Sequence, residues 1–475
     1  MAKIVVSTLM ALAWLTLVVV MTGQVAHSQA YLDLYDFNFT QGAFPSITDL
    51  LAQGRDGNLY GTTPMGGTST ECGDSGCGVE FLLTPDGSLN SVYDFVGGFH
   101  GATPYSGLTL GTDGSFYGTT YDGGAKGLGT IFRFAPGGFG TILHNFMGAD
   151  GESPGAPPIQ GADGNFYGAT PNEGNGGNAG SVYKITSSGA FTPLGGLPGD
   201  STAPLLEAAD GNFYGTTFDG GDSSCASGCG TLFRLTPDGQ VTVIHYFDGS
   251  HGAAPDDPLI QGKDGSLYGT SSAGGLYGNV SGDGVVFKIT RQGAFAVLHN
   301  FGDPNYSQDG TEPTAGLVQA TDGNFYGVTS GGGEQGDGVI FRMTEGGAYS
   351  IIYNFDYTDG SAPFSTPMQH TNGNIYGLTS SGGLGRGVLY SFDIRVGPFV
   401  RPVPSSGRVG QTGGILGQGF TGTTSVSLNG TPASFTVESN TYIRATVPTG
   451  ATSGYVTVVT PGGKLISDKP FQVLP

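Results

Sequence analysis

The chain has 475 residues, of which 89 are Gly and 27 are Pro, together about a quarter of the total against an average of roughly 12%. Gly does not recur at every third position, which excludes collagen, and a content of 37% hydrophobic and 11% aromatic residues excludes a disordered chain. With 38 acidic against 17 basic residues the formal charge is −21, which repels nucleic acid and anionic lipid surfaces, so a turn-rich β protein that binds neither is expected.

At the N-terminus Lys3 precedes an apolar run over 4–21, and the small residues of 25–30 offer a cleavage site. Residues 1–30 therefore read as a signal peptide, and the expected location is secreted, periplasmic or at the cell surface. An uncleaved anchor is the alternative, against which stand the minimal length of the run and its polar flank. This segment has no Cys, which excludes a lipoprotein anchor, and it contains Trp14, the only Trp. No other stretch is apolar enough to cross a bilayer, so no stable membrane span is expected once the signal is cleaved.

From residue 31 the chain repeats itself seven times. A Tyr-Gly step stands at Tyr60, Tyr117, Tyr167, Tyr214, Tyr268, Tyr326 and Tyr376, with spacings between 47 and 58 residues. Such periods belong to propellers or solenoids, and short apolar runs of period two between Gly-rich turns argue for strands. Each unit divides into four strands. The first ends at a tight turn such as Asp56-Gly57, Asp264-Gly265 or Asn372-Gly373, where Gly supplies positive φ. The second carries Tyr-Gly; the third carries an aromatic at Phe81, Phe132, Tyr183, Phe233, Phe287, Phe341 or Tyr390; the fourth reads like Ile351-Ile352-Tyr353-Asn354-Phe355. Leu32-Asp33-Leu34-Tyr35-Asp36-Phe37 matches a fourth strand, and the seventh unit stops after its third. The N-terminal strand is thus expected to complete the last unit and close an all-β, seven-bladed β-propeller over residues 31–396.

The pattern D-G-N-x-Y-G-x-T, then Gly-Gly and G-x-x-F, resembles the GloVer-type tandem repeat of bacterial exported choice-of-anchor proteins. The resemblance implies an exported multi-repeat β protein, here without an evident C-terminal sorting anchor. After Arg395 the repeat stops. Gly413-Gly414-Ile415-Leu416-Gly417-Gln418-Gly419-Phe420 and the alternating runs after it resemble an IPT/TIG domain, a small Ig-like β-sandwich, over residues 398–475. Its core is expected to include Ile415, Phe420, Val426, Phe435, Val456 and Phe471. Spacer or adhesion duty is what this second resemblance implies.

The four Cys form two close pairs, Cys72 with Cys77 and Cys225 with Cys229, each inside one second-to-third-strand loop. In an exported chain local disulfides are expected, pinning loops rather than holding the fold. His144, His245 and His299 share one register of the fourth strand with Tyr35, Tyr93 and Tyr353, which reads as a packing position; symmetry-related positions diverge around a ring, so no metal is expected there. Arg133, Lys184, Arg234, Lys288 and Arg342 follow the third-strand aromatic and are expected to pair with acids between blades. Gln53, Gln160, Gln261, Gln319 and Gln369, with Glu207 and Leu110 in the remaining units, stand three residues before the turn. They either ring a channel with amides or brace neighbouring blades.

The second-to-third loops and the connections between units are long and variable and fall on one face, where function tends to reside. Acids expected on that face include Asp150, Glu152, Glu173, Asp222, Asp256, Asp257, Glu334 and Asp337. The candidate ligand-binding residues are Tyr121, Asp122, Asp219, Tyr277, Tyr306, His100 and His251, with Tyr121 favoured because an acceptor and Gly123-Gly124 adjoin it. Without Trp, tyrosines must supply the stacking surface for a sugar. Asp303, Asn305, Ser307, Asp309 and Glu312 place oxygens at alternate positions, as calcium loops do, but lack the Gly of an EF-hand at the sixth place. No nucleophile elbow, phosphate loop or His-Glu metal helix occurs, so no catalytic residue is assigned. The expected function is a noncatalytic binding or cell-envelope interaction protein, its partner an extracellular glycan or envelope protein. The alternatives are a glycan-cleaving hydrolase or lyase using loop carboxylates, and a purely structural surface module.

Overall fold

The computed structural model describes residues 31–45, 50–84, 87–136, 140–172, 179–221, 225–277, 282–304 and 308–474. The proposed signal peptide, Trp14 included, lies outside them. Among the described residues the chain is almost entirely strand and turn. Seven four-stranded antiparallel sheets follow one another from Tyr31 to Phe392. In the first, Ala52–Gln53, Leu59–Thr63, Val79–Leu83 and Leu89–Asp94 pair in chain order. The seventh takes three strands from Met368–Gln369, Ile375–Leu378 and Val388–Phe392, and its fourth is Tyr31–Asp36, with Tyr31 opposite Phe392 and Asp36 opposite Val388.

Every residue of the Tyr-Gly-Thr-Thr run has a separate physical job. The tyrosine is buried, and its hydroxyl donates to the turn Asp four residues earlier, Tyr60 to Asp56 at 2.8 Å and Tyr326 to Asp322 at 2.8 Å. The other carboxylate oxygen of that Asp accepts the backbone N–H two residues on, closing an Asx turn. In the seventh sheet Asn372 replaces Asp and donates to Tyr376 at 2.9 Å. The Gly lies opposite the third-strand aromatic. A Cβ on Gly61 would stand 2.5 Å from Phe81 Cζ, so only Gly lets the ring lie across the strand. The first Thr reaches the next sheet, as Thr62 Oγ1 does to the Pro104 carbonyl at 3.1 Å. The last, Thr in six sheets and Ser271 in the fifth, donates to the carbonyl two residues later, as Thr120 does to Asp122.

Of the two readings of the first-strand amides, the structure supports bracing. Gln160 Oε1 accepts the Thr112 N–H of the preceding sheet at 2.8 Å, and Gln261, Gln319 and Gln369 do the same to Ala209, Lys263 and Thr321. Glu207 plays this part toward Ala162 at 2.9 Å. Gln53 accepts from Thr371 N at 3.1 Å and donates to its hydroxyl at 2.7 Å, so the seventh sheet is bonded to the first. One shared apolar cluster supports that contact, with Leu59, Phe81 and Leu83 from the first sheet and Tyr376, Leu378 and Leu389 from the seventh. Where Leu110 stands there is no amide, and Arg55 Nη2 instead donates across to the Thr112 carbonyl at 2.6 Å.

Beyond Arg395 two further four-stranded sheets and a parallel pair, Ser406–Arg408 with Gln472–Leu474, enclose a separate core. Ile415, Phe420, Val426, Val456 and Phe471 are buried in it, and Phe435 packs partly buried against it. This part rests on the tight-turn side of the first and seventh sheets. Phe399 N donates to the Thr371 carbonyl at 3.1 Å, Thr441 Oγ1 to the Arg55 carbonyl at 2.7 Å, and the Arg55 guanidinium lies 4.6 Å from the Tyr442 ring centre.

Truncating the buried Gln53 amide strands the Thr371 N–H and removes the partner of its hydroxyl. Gln53→Ala should therefore cost ~1–3 kcal/mol in chemical denaturation. Gln160→Ala, whose amide is half-buried, should cost less. Equal, negligible losses for both would show that the amides do not hold neighbouring sheets.

Candidate functional site

The long-loop side is built by the connections between sheets. Six of them carry the sequence Gly-x-x-Pro, at Gly42, Gly101, Gly151, Gly252, Gly310 and Gly360. The residue before each Pro (Phe44, Thr103, Ser153, Ala254, Glu312, Ala362) has φ between 49° and 57°, a left-handed conformation costly for a side-chain-bearing residue. Each spends that cost on the same bond. Its N–H donates to a carbonyl of the preceding sheet's loop, as Thr103 does to Cys77 at 2.9 Å and Glu312 to Asp283 at 2.9 Å. The Pro then fills the space beside a Gly at the start of the third strand, Pro104 against Gly78 and Pro255 against Gly230. Two residues before the Pro, the chain pairs forward with the next loop, Ala102 with Asp122 and Ala253 with Ala273. This repeated motif is legible in the sequence and escaped the reading above.

The candidate ligand-binding residues fall at separate places on this rim. His100 is exposed at the end of the turn Gly98–His100, beside Phe99, which is 74% exposed. Tyr121 is half-buried, its ring edge-on to Tyr105 at 5.5 Å, and Asp122 is exposed beside it. Two sheets further on, Asp219 accepts the Asp200 N–H at 2.8 Å, and the exposed His251 pairs with Asp248 at 2.8 Å. Tyr277 donates to Asp303 Oδ2 at 3.0 Å. Tyr306, Asn305 and Ser307, with Glu173 and Asp222, lie outside the described residues. Of the calcium-type set, Asp303 meets Tyr277, Asp309 lies 3.3 Å from His299 Nε2, and Glu312 lies 3.4 Å from Ser330 Oγ. Among the described residues no three His, Cys, Asp or Glu side chains converge as metal ligands.

Two expected surface acids are interior. Asp257 is 3% exposed and accepts from Thr270 Oγ1 at 3.0 Å; burial, reinforced by the neighbouring Asp256, holds its pKa well above the ordinary carboxylate value. Asp256 accepts from the backbone and hydroxyl of Thr202, and burial pushes its pKa up to about 6. It thereby holds the connection between the third and fourth sheets, the one that lacks Gly-x-x-Pro. The third-strand cations also differ from expectation. Lys288 pairs with Asp264 of its own sheet at 2.7 Å, because the two are neighbours through the buried Tyr268, whereas Arg133 donates to the Ser187 carbonyl of the next sheet. The histidines pack as expected. His144, His245 and His299 each stack on an aromatic of the following sheet at 3.8–4.0 Å.

An open groove of about 710 Å³ lies on this side between the fifth and sixth sheets. Tyr277, Asp303, His299, Gln308, Asp309 and Tyr349 line it, joining aromatic surface to several hydrogen-bonding side chains. Tyr349 stacks on His299 at 3.9 Å, and burial raises the pKa of its phenol.

Residues 24–204 and 195–390 match the model of the Gloeobacter/Verrucomicrobia repeat. The chain belongs to that family. The match ends before the C-terminal sheets. A comparison with curated proteins returns no match. Among solved structures, a candidate 6-phosphogluconolactonase from Bacteroides uniformis is 16% identical, with 68% of this chain and 89% of that one covered and a TM-score of 0.45. A second, from Bacteroides fragilis, is 17% identical over 68% and 88%, with a TM-score of 0.44. A candidate gluconolactonase is 12% identical over 78% and 94%, with a TM-score of 0.40.

In this family member the disulfides sit where the connections attach. Cys72–Cys77 and Cys225–Cys229 span Cα distances of 5.2 and 5.1 Å, and the carbonyls of Cys77 and Cys229 are the ones that receive Thr103 N and Ala254 N. Two disulfides are consistent with an oxidising compartment. No helix among the described residues is long and apolar enough to cross a membrane.

The buried Asp257 gives a pH test. A carboxyl whose pKa is raised on folding contributes stability that is complete below its unfolded value, about 4, and is lost as pH rises toward the folded value. Asp257→Asn removes that titration. Thermal melts should show the variant gaining on the parent protein progressively from pH 4 to pH 8, and a pH-independent difference would contradict the burial of a titrating carboxyl.

Proposed function

We propose that this is an exported, noncatalytic binding protein of the bacterial cell envelope. In this reading residues 1–30 are a signal peptide, the seven sheets over residues 31–396 are the blades of a β-propeller, and residues 398–475 are an Ig-like sandwich of the IPT/TIG type. The ligand is an extracellular glycan or similar polymer taken up on the long-loop face. The observation that carries the assignment is the groove between the fifth and sixth sheets. It joins tyrosine rings to the carboxylates and amide that sugar hydroxyls require, and Tyr306 belongs to the same connection. A net charge of −21 favours neutral polymers over polyanions on such a face.

The test is a binding screen of the purified chain against soluble glucans, xylans and peptidoglycan fragments, with released reducing ends and unsaturated products followed in parallel. Tyr277→Ala should weaken a bound glycan by ~1–3 kcal/mol, with the fold unchanged by circular dichroism. Tyr121→Ala, at the distant rim position, should have a smaller effect. Undiminished affinity in Tyr277→Ala would remove the site from this groove, and product release would replace a binding role by a hydrolase or lyase.

A further inference from the structure

The opposite side of the ring holds a second cavity with contrary chemistry. Its volume is about 530 Å³, and its wall combines first-strand residues of the fourth to seventh sheets, among them Glu207, Gln261, Gln319 and Gln369, with the C-terminal segment from Asp468 to Gln472. First strands from four successive sheets line one space, which places it at the centre of the ring beneath the C-terminal sheets. Four of its lining residues are cationic, Lys263, Arg291, Arg401 and Lys469, against the two acids Glu207 and Asp468, in a chain whose acids outnumber its bases by 38 to 17.

The local pairings leave charge over. Arg401 Nε donates to Asp468 at 2.9 Å and its Nη2 to the Gln369 carbonyl at 2.9 Å, so that pair neutralises itself. Arg291 lies 3.3 Å from Asp210. Glu207 is committed to Ala162 N, and burial raises its pKa, which opposes charging it. The amides of Gln261, Gln319 and Gln369 are committed to backbone groups, and those of Gln319 and Gln369 also donate to Glu345 Oε1 at 2.7 Å and to the Thr321 hydroxyl at 3.2 Å. Among the described residues, neither the Lys263 nor the Lys469 ammonium has a carboxylate at ion-pair distance. Lys263 and Lys469 are both exposed, and both line this space. The protein packed around Lys469, with Asp468 pulling the other way and Arg401 and Lys263 nearby, lowers its pKa. An ammonium held among like charges is stabilised by an anion placed between them.

We propose that this central cavity binds a small oxyanion of two negative charges, a phosphate ester or a dicarboxylate, held between the ammonium groups of Lys263 and Lys469. Lys263 belongs to the ring and Lys469 to the C-terminal part, so the anion bridges them and its binding tightens their docking. This site is independent of the glycan groove, with which it shares no residue.

Isothermal titration calorimetry of the purified chain with inorganic phosphate, sulfate and malonate tests this. One saturable site is expected, weakened tenfold or more by Lys469→Gln and by Lys263→Gln and unchanged by Lys184→Gln, which alters a third-strand lysine outside the cavity. Tighter phosphate and sulfate than malonate would identify a tetrahedral oxyanion, and the reverse order a dicarboxylate. In the unaltered protein, phosphate should also slow acylation of Lys469 and Lys263 relative to Lys184, read by peptide mass spectrometry, which keeps the test valid if a variant misfolds. No saturable binding up to about 10 mM, equal affinity in all three variants, or unprotected Lys469 would each overturn the proposal.

Discussion

The structure depends on how each sheet satisfies the backbone of the one before it. A first strand of two residues is too short to hold its neighbour by ladder hydrogen bonds, so a side chain does the work. In six of the seven sheets a Gln or Glu three residues before the tight turn accepts the N–H of the preceding turn. Because the acceptor arm is fixed to one strand and the donor to the next turn, the bond also sets the relative placement of the two sheets. The same contact recurs from the seventh sheet to the first, where Gln53 meets Thr371, and the strand Tyr31–Asp36 leaves no third-strand edge open there.

On the far side of each sheet the strained residue of Gly-x-x-Pro supplies the complementary bond. Six side-chain-bearing residues sit in the left-handed region, and each returns a backbone hydrogen bond to the preceding loop while its Pro occupies the space a Gly leaves. Six of the seven connections are therefore tied backward to one sheet and forward to the next. Variation is confined to what stands out from this frame, which is where Tyr277, His100 and His251 are found. Both disulfides lie at anchorage points of the frame, at Cys77 and Cys229.

The frame also separates two chemistries. The long-loop side gathers carboxylates and tyrosines in a groove open to solvent. The tight-turn side, covered by the C-terminal sheets, gathers cations around a central space. An acidic chain gains solubility from the first arrangement. The second concentrates four of its 17 basic residues at one place, which a surface pairing role for lysine and arginine does not require.

What the sequence determined by itself was everything encoded within one unit. Alternation of period two, turn Asp-Gly steps and the repeated Tyr-Gly gave strand number and order, because hairpin chemistry acts over a few residues and is repeated seven times. The fourth-strand character of Leu32–Phe37 was legible for the same reason, as was the packing role of His144, His245 and His299. Tertiary structure alone decided which acids are interior. Asp256 and Asp257 stand in a Gly- and Pro-rich connection that reads as solvated, and only the Thr202 and Thr270 hydroxyls, brought up by neighbouring segments, reveal their burial. It also decided that Lys263 and Lys469, 206 residues apart in the chain, face one cavity. No local pattern encodes that meeting, because it depends on where a separately folded C-terminal part comes to rest on the ring.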